Sequence, residues 1–381
     1  LNSSHGFSNG AVLFGALIME LLILLRASDI GNKLSVVDYP DSGRKRHLRA
    51  TPLVGGLAIV AAVLLSAAAS FAGARSANTT LNLAVLLCGG GATLVGYADD
   101  QSSTSPSSRI LILFLLSAIA LVICPQLLPS VIHWGHFQRW ALAPWLSYAL
   151  IAVAMAGLVN AVNMADGQNG IVIGMFVIWS VCLMAATSGQ EQSLSLVLLL
   201  SCAIALIFNM LGRVFLGDAG TYGVTFIFGI LAIMAHNSGA ITAETLAVWF
   251  FIPIVDCLRL MISRMRRGQA PSNGDRNHFH HRLQDIFGTT YSCIIYLGAV
   301  AGSSIATTLM PKLSVVCLIL LGMFYVILMG PAFDERRRVA GASGSMPAGP
   351  LHSHANSNVL MLETHEDFKT GSRRLPKPNS G

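Results

Sequence analysis

Residues 160–170 read NAVNMADGQNG and sit between two apolar runs, 143–160 and 171–188. Three asparagines, an aspartate and two glycines cannot face lipid, so the chain must leave the hydrocarbon here and re-enter it. Working outward, the hydropathy pattern predicts further spans near 8–25, 53–72, 80–98, 110–128, 193–210, 219–236, 244–262, 291–309 and 312–330. Each is long enough to cross a bilayer as a helix. The expected fold is therefore an all-α polytopic membrane protein of about eleven transmembrane helices. The division around Met310, Pro311 and Lys312 is the least marked of the boundaries.

Composition agrees. Of 381 residues, 54% are hydrophobic and 11% charged, where a soluble domain carries about 25% charge. The run from about Asn9 to Leu25 lacks a basic start and ends in RASD, so it is expected to be a span and not a cleaved leader. The net charge of +6 is dispersed among membrane-bound loops and gives no nucleic-acid patch. If successive loops alternate sides, every Lys and Arg except Arg75, Arg139 and Lys312 falls on one side. The positive-inside rule makes that side cytoplasmic, with the amino terminus outside and the carboxyl terminus inside. Residues 1–333 are expected to form the membrane domain, and 334–381, rich in Gly, Ser and Pro, a flexible cytoplasmic tail. The seven cysteines lie in or beside apolar runs without CxxC spacing and imply neither disulfides nor zinc.

With this topology the unusual polar clusters share the cytoplasmic face. They are GRKRHLRATPLVGG (43–56), GYADD (96–100), NAVNMADGQNG, FLGDAGTYG (215–223) and PIVDCLRLMISRMRRGQAPSNGDRNHFHHRL (253–283). The opposite face is plain apart from His133, Trp134, His136 and Trp140, which suit an interfacial anchor. Asp99, Asp100, Asp166 and Asp218 each abut an apolar segment, where a carboxylate needs water, a partner or a cation. Flanking glycines at 167, 217 and 220 allow close backbone approach. With amide oxygen from Asn160 or Asn163, these groups suit a hard cation, magnesium or manganese. Arg276, Arg282, His278, His280 and His281 offer the opposite charge and suit phosphate oxygens better than zinc, since HFHH crowds its rings and no cysteine is near. Arg44, Lys45 and His47 suit a lipid phosphate at headgroup depth. The bland alternatives are hydrated helix ends for the aspartates and a basic loop drawn to anionic lipid for the rest.

The five clusters, in this order and spacing, resemble the polyprenyl-phosphate N-acetylhexosamine-1-phosphate transferases over residues 30 to 330 or so. RKRH–TP–GG, DD, NxxDGxNG, FxGDxG and PxxDxxR…DRxHxHHRL are weak singly and specific together. The resemblance implies transfer of a sugar phosphate from a UDP-N-acetylhexosamine to undecaprenyl phosphate with release of UMP and use of magnesium. This would be the first step of a lipid-linked envelope polysaccharide such as O-antigen, on the cytoplasmic face of the inner membrane. It implies Asp218 as principal metal ligand and Asn163 as a second. Asp99 and Asp100 would meet the lipid phosphate, and Asp166 and Asn169 the uridine and metal region. Arg276, His280, His281 and Arg282 would contact the diphosphate and sugar, and Arg44, Lys45 and His47 the lipid phosphate. Asn169 stands where many members have aspartate. DDQSST lacks the nearby lysine of the branch that uses the muramoyl-pentapeptide nucleotide, so the simple-hexosamine branch fits better. A homodimer would be compatible with such an enzyme. The competing class is a transporter of an anionic or lipid-linked substrate, which would need ionisable groups at mid-membrane on both access routes. Few such groups exist: Glu20 lies within the first span, Glu244 near an outer edge, and the Asp256–Arg259 pair toward the cytoplasmic end.

Overall fold

The computed structural model describes residues 3–40, 49–72, 79–135, 138–270 and 277–330. The expected tail, 334–381, lies outside them. The helices are α1 (Ser3–Leu25), α2 (Ala27–Leu34), α3 (Gly55–Ala72), α4 (Thr79–Ala84), α5 (Gly90–Gln101), α6 (Pro106–Ile123), α7 (Pro144–Ala165) and α8 (Ile171–Ala186). They continue with α9 (Gly189–Met210), α10 (Gly217–Asn237), α11 (Ala243–Trp249), α12 (Phe251–Arg266), α13 (Phe279–Phe287), α14 (Thr289–Leu309) and α15 (Ser314–Met329). A π-helical turn, Val85–Gly89, joins α4 to α5 into one continuous element.

All eleven expected apolar segments are helical, but they are not alike. Eight are long and apolar enough to cross a membrane, or ten if two bent pairs each count once. The remaining one, Ile171–Ala186, has 16 residues and falls short of that length. The bends lie between Gly10–Leu25 and Ala27–Leu34 (75°) and between Ala243–Trp249 and Phe251–Arg266 (69°). The second has a local cause. Pro253 brings no N–H to bond Trp249, and its ring would clash with that carbonyl, so α11 cannot run straight into α12.

Helix α10 is the central post. Inside its membrane-length window 94% of residues are buried, against 22% for the peripheral Pro106–Ile123. Packing against α3, α5 and α7 surrounds it, and small residues let the backbones approach. A Cβ on Gly56 would overlap Gly220, one on Gly96 would overlap the Asp218 carbonyl, and one on Gly223 would overlap Thr93 Oγ1. Two short antiparallel pairs complete the molecule. β1 (Val37–Asp38) pairs with β2 (Thr51–Pro52), and β3 (Val131–Trp134) with β4 (Gln138–Ala141). In the second, the rings of Trp134 and Trp140 stack 6.0 Å apart, and Glu244 accepts the Gly135 N–H at 2.6 Å.

Candidate active site

The first turn of α10 organises the site. Gly217 has a φ of 73°, a left-handed conformation that glycine adopts without strain and that starts the helix abruptly after Leu216. The exposed N–H groups of that turn are claimed by Asp100, whose Oδ1 accepts from Asp218 N and Oδ2 from Ala219 N, both at 2.9 Å. A carboxylate at a helix N-terminus satisfies unpaired donors and favours the helix dipole. Asp100 on α5 thus caps α10 across 118 residues of sequence.

The same turn is stitched to the TPLVGG segment through the backbone. Phe215 N donates to Pro52 O, Gly55 N to Phe215 O and Gly56 N to Leu216 O, at 2.9, 3.0 and 2.9 Å. Hence the two glycines of this motif serve close approach: a Cβ on Gly55 would press on the Phe215 carbonyl.

Asp218 points toward α7. Its Oδ1 accepts from Asn163 Nδ2 at 2.6 Å, and the same amide donates to Thr221 Oγ1 at 3.0 Å. The Asp99 carboxyl faces that of Asp218. Asp99 is held on its other side: Oδ1 accepts from Thr104 N at 2.8 Å and Thr104 Oγ1 at 2.9 Å, and Oδ2 forms an ion pair with Arg109. Asp100 and Asp99, although adjacent, therefore face different partners.

The 160–170 loop is braced from three directions. Gly170 N donates to Asn209 Oδ1 at 2.7 Å, and Asn169 Nδ2 to Asn209 O at 3.0 Å. Asn209 Nδ2 donates in turn to Val214 O at 3.0 Å, tying this loop to the one before Asp218. Gln168 Nε2 donates to Thr289 O at 2.7 Å, and its Oε1 accepts from Ser292 at 3.0 Å. His280 lies against Gly167 so closely that any Cβ there would collide with Nε2. Asn160 is turned away, its amide donating to Ala156 O within α7 at 2.7 Å. Asp166, at the end of α7, is open to solvent by area yet closely ringed by protein. Desolvation, with a further contribution from Asp100, pushes its pKa up to about 7.

His280 and His281 stand on α13, and His278 occupies its cap position. His280 is buried, and its Nε2 has no hydrogen-bond partner. Burial, then the neighbouring His281 and His278, hold its pKa well below the usual imidazole range, so the ring is neutral at physiological pH. His278 stacks on it at 5.3 Å, and His281 Nδ1 meets Gln284 Oε1 at 3.1 Å. Arg282 Nε donates to Leu328 O at the end of α15, at 3.2 Å. Of the other expected substrate contacts, Arg44, Lys45, His47 and Arg276 lie outside the described residues.

Structure therefore brings Asp99, Asp100, Asp218 and Asn163 to one place and sets the Asp166 loop and His280 beside it. Arg109, Thr104 and Asn209, outside the polar motifs, and Gln168, an unspecified position within one, complete the arrangement. Each is an ordinary residue near a helix end, and only its partner gives it meaning. Clustered carboxylates repel unless a cation intervenes, and the donors are hard oxygens, which suits magnesium. Among the described residues no three His, Cys, Asp or Glu groups are disposed to cage a metal ion. Magnesium held by one or two carboxylates and by substrate phosphates needs no such cage.

Comparison with known proteins agrees with this geometry. The model of glycosyl transferase family 4 matches residues 82–236, which include Asp99, Asp100, Asn163, Asp166 and Asp218. The undecaprenyl-phosphate alpha-N-acetylglucosaminyl 1-phosphate transferase of Yersinia pestis is 31% identical over 282 residues, 70% of this chain and 74% of the relative. The protein of the same description from Escherichia coli (strain K12) is 29% identical over 288 residues, 71% of this chain and 75% of the relative. With motif order, site geometry and this similarity in agreement, the chain belongs to glycosyl transferase family 4, as a bacterial polyprenyl-phosphate N-acetylhexosamine-1-phosphate transferase.

Proposed function

We propose that the protein moves N-acetylhexosamine-1-phosphate from a UDP-N-acetylhexosamine to undecaprenyl phosphate, at the cytoplasmic face of the inner membrane. The observation that carries this most directly is the meeting of Asp99, Asp218 and Asn163 beside the Asp166 loop. An oxygen of the lipid phosphate attacks the sugar-linked phosphorus of the donor. One P–O bond forms, the P–O bond to the UMP oxygen breaks, and UMP departs with the electron pair. No covalent enzyme intermediate is needed. Both reactants are anionic, so positioning and charge neutralisation dominate the barrier.

Asp218, with Asn163 beside it, would hold the divalent cation, whose role when bound is to neutralise the diphosphate and ease departure of UMP. Asp100 is committed by both oxygens to the α10 backbone and acts by holding Asp218 in place. Asp99 faces the reacting region and is the better acceptor for a proton on the lipid phosphate, with Arg109 and Thr104 fixing its direction. Neutral, buried His280 backs the Asp166 loop through Gly167 and shapes the donor side of the site without adding charge. For the lipid we infer the groove of about 670 Å³ along α12, where Val255, Leu258 and Ile262 line an apolar wall and Arg266 and Arg267 its basic rim. Apolar wall and guanidinium rim match an isoprenoid chain ending in phosphate. Residues 1–333 would carry the transferase and 334–381 a cytoplasmic tail.

The direct test supplies purified protein with undecaprenyl phosphate, magnesium and a panel of UDP-N-acetylhexosamines. UMP release and the mass of the lipid product then identify reaction and sugar. Silence with every donor, including the rare 6-deoxy amino sugars, would defeat the proposal.

A further inference from the structure

Asp256, on α12, touches none of the four carboxylates described above, yet it is buried and its oxygens are heavily used. Its Oδ1 accepts from Tyr325 OH on α15 at 2.6 Å and from Arg259 Nη2 at 2.8 Å. Oδ2 accepts the Phe279 N–H at 3.1 Å and faces His278 Nδ1 at 3.5 Å. Phe279 is the first residue of α13, and no side chain of the His278 cap position closes that helix. Asp256 supplies the missing cap from another helix. Arg259 strengthens the joint, donating to Tyr325 OH at 2.7 Å and to the Asn277 carbonyl. Phe279 is fully buried, its ring 4.8 Å from that of Tyr325. One residue on, His280 reaches Gly167.

We infer that Asp256 is a positioning residue that, with Tyr325 and Arg259, locks the start of α13 so that His280 is held against the Asp166 loop. The geometry makes three helices meet at one carboxylate, and the histidine segment hangs from that joint. Replacing the carboxylate leaves Phe279 N–H, Tyr325 OH and Arg259 to find other partners in a buried place, which frees the segment. The catalytic consequence rests on the proposed transferase activity; the positional one does not.

The experiment uses the purified full-length chain and the variants Asp256→Asn, Asp256→Glu, Tyr325→Phe, His280→Ala and Asp256→Asn/His280→Ala. With activity read as UMP release, Asp256→Asn should lower kcat about tenfold or more with little change in KM for undecaprenyl phosphate. Tyr325→Phe should do the same more mildly, and Asp256→Glu should recover part of the loss. The double variant should be no slower than His280→Ala, since both act through one ring; multiplying losses would overturn the inference. A second readout needs no turnover. Diethyl pyrocarbonate modification of His280, located by peptide mass, should run about tenfold faster in Asp256→Asn, because a neutral buried ring becomes reachable. An unchanged modification rate also overturns the inference. Should the parent protein release no UMP, the transferase proposal fails while the labelling rate still decides whether Asp256 holds the segment.

Discussion

Adjacent aspartates with opposite duties are the main lesson at the residue scale. Asp100 is spent on two backbone N–H groups of α10, whereas Asp99 faces Asp218 and is oriented by Arg109 and Thr104. Asp100→Asn should therefore lower both activity and thermal stability, the latter by about 1 kcal/mol, the usual scale of a lost cap. Asp99→Asn should depress kcat with a smaller effect on stability. Thermal unfolding in detergent beside UMP release separates the two, and equal stability losses would contradict the division of labour. Asp218→Asn should cost about a hundredfold or more in rate through loss of the charge opposite the cation, with membrane insertion intact. Asp166 adds a pH dependence. Raised to about 7, its carboxyl is neutral below that pH and charged above it. Activity that needs the charged form should fall as pH drops through about 7, and Asp166→Asn should remove that limb of the profile.

For the elements, close packing around α10 sets the geometry. Gly56 and Gly96 leave no room for a methyl group, whereas Gly157 on α7 has open space beside it. Gly56→Ala or Gly96→Ala should cost about 1–3 kcal/mol, the range for overpacking, and displace Asp218 enough to suppress UMP release. Gly157→Ala should be neutral or slightly stabilising, because alanine is the better helix former. Detergent melting curves of the three variants test this, and three similar curves would mean α10 is not held by those contacts. At α12, Pro253 makes the 69° bend from α11. That bend carries Asp256 and the groove residues away from the line of α11.

At the scale of the whole molecule, contacts settle one question and leave sidedness to charge. Asp99, Asp100, Asp166 and Asp218 belong to one cluster and hence to one face. Positive-inside bias predicts that this face is cytoplasmic. The described cysteines are all at least partly buried, so the native thiols should react little with an impermeant maleimide. Single cysteines at Ser102 and Ser188, both exposed and at opposite ends of apolar segments, should then react differently with an impermeant maleimide in intact cells. Ser188→Cys should label and Ser102→Cys should be silent until the cells are opened. The reverse pattern would invert the expected orientation.

Much of this protein is legible in its sequence because lipid is an unforgiving solvent. A chain that must satisfy every backbone group internally declares its helices as long apolar runs, and polar residues between them stand out against that background. All eleven runs are helical, and the motifs single out Asp218, Asn163, Asp99 and Asp100, which the fold places together. Hydropathy does not register a bend, so the 244–262 run turns sharply within itself and the first helix turns just past the end of its run, and it overestimates α8. The pairing of Asp100 with α10, the bracing by Asn209 and Gln168, the Arg109 ion pair and the Asp256 joint were decided only by the tertiary structure. Those contacts reach across as many as 124 positions of sequence. Which polar group meets which is a property of helix packing, and one-dimensional spacing carries no record of it.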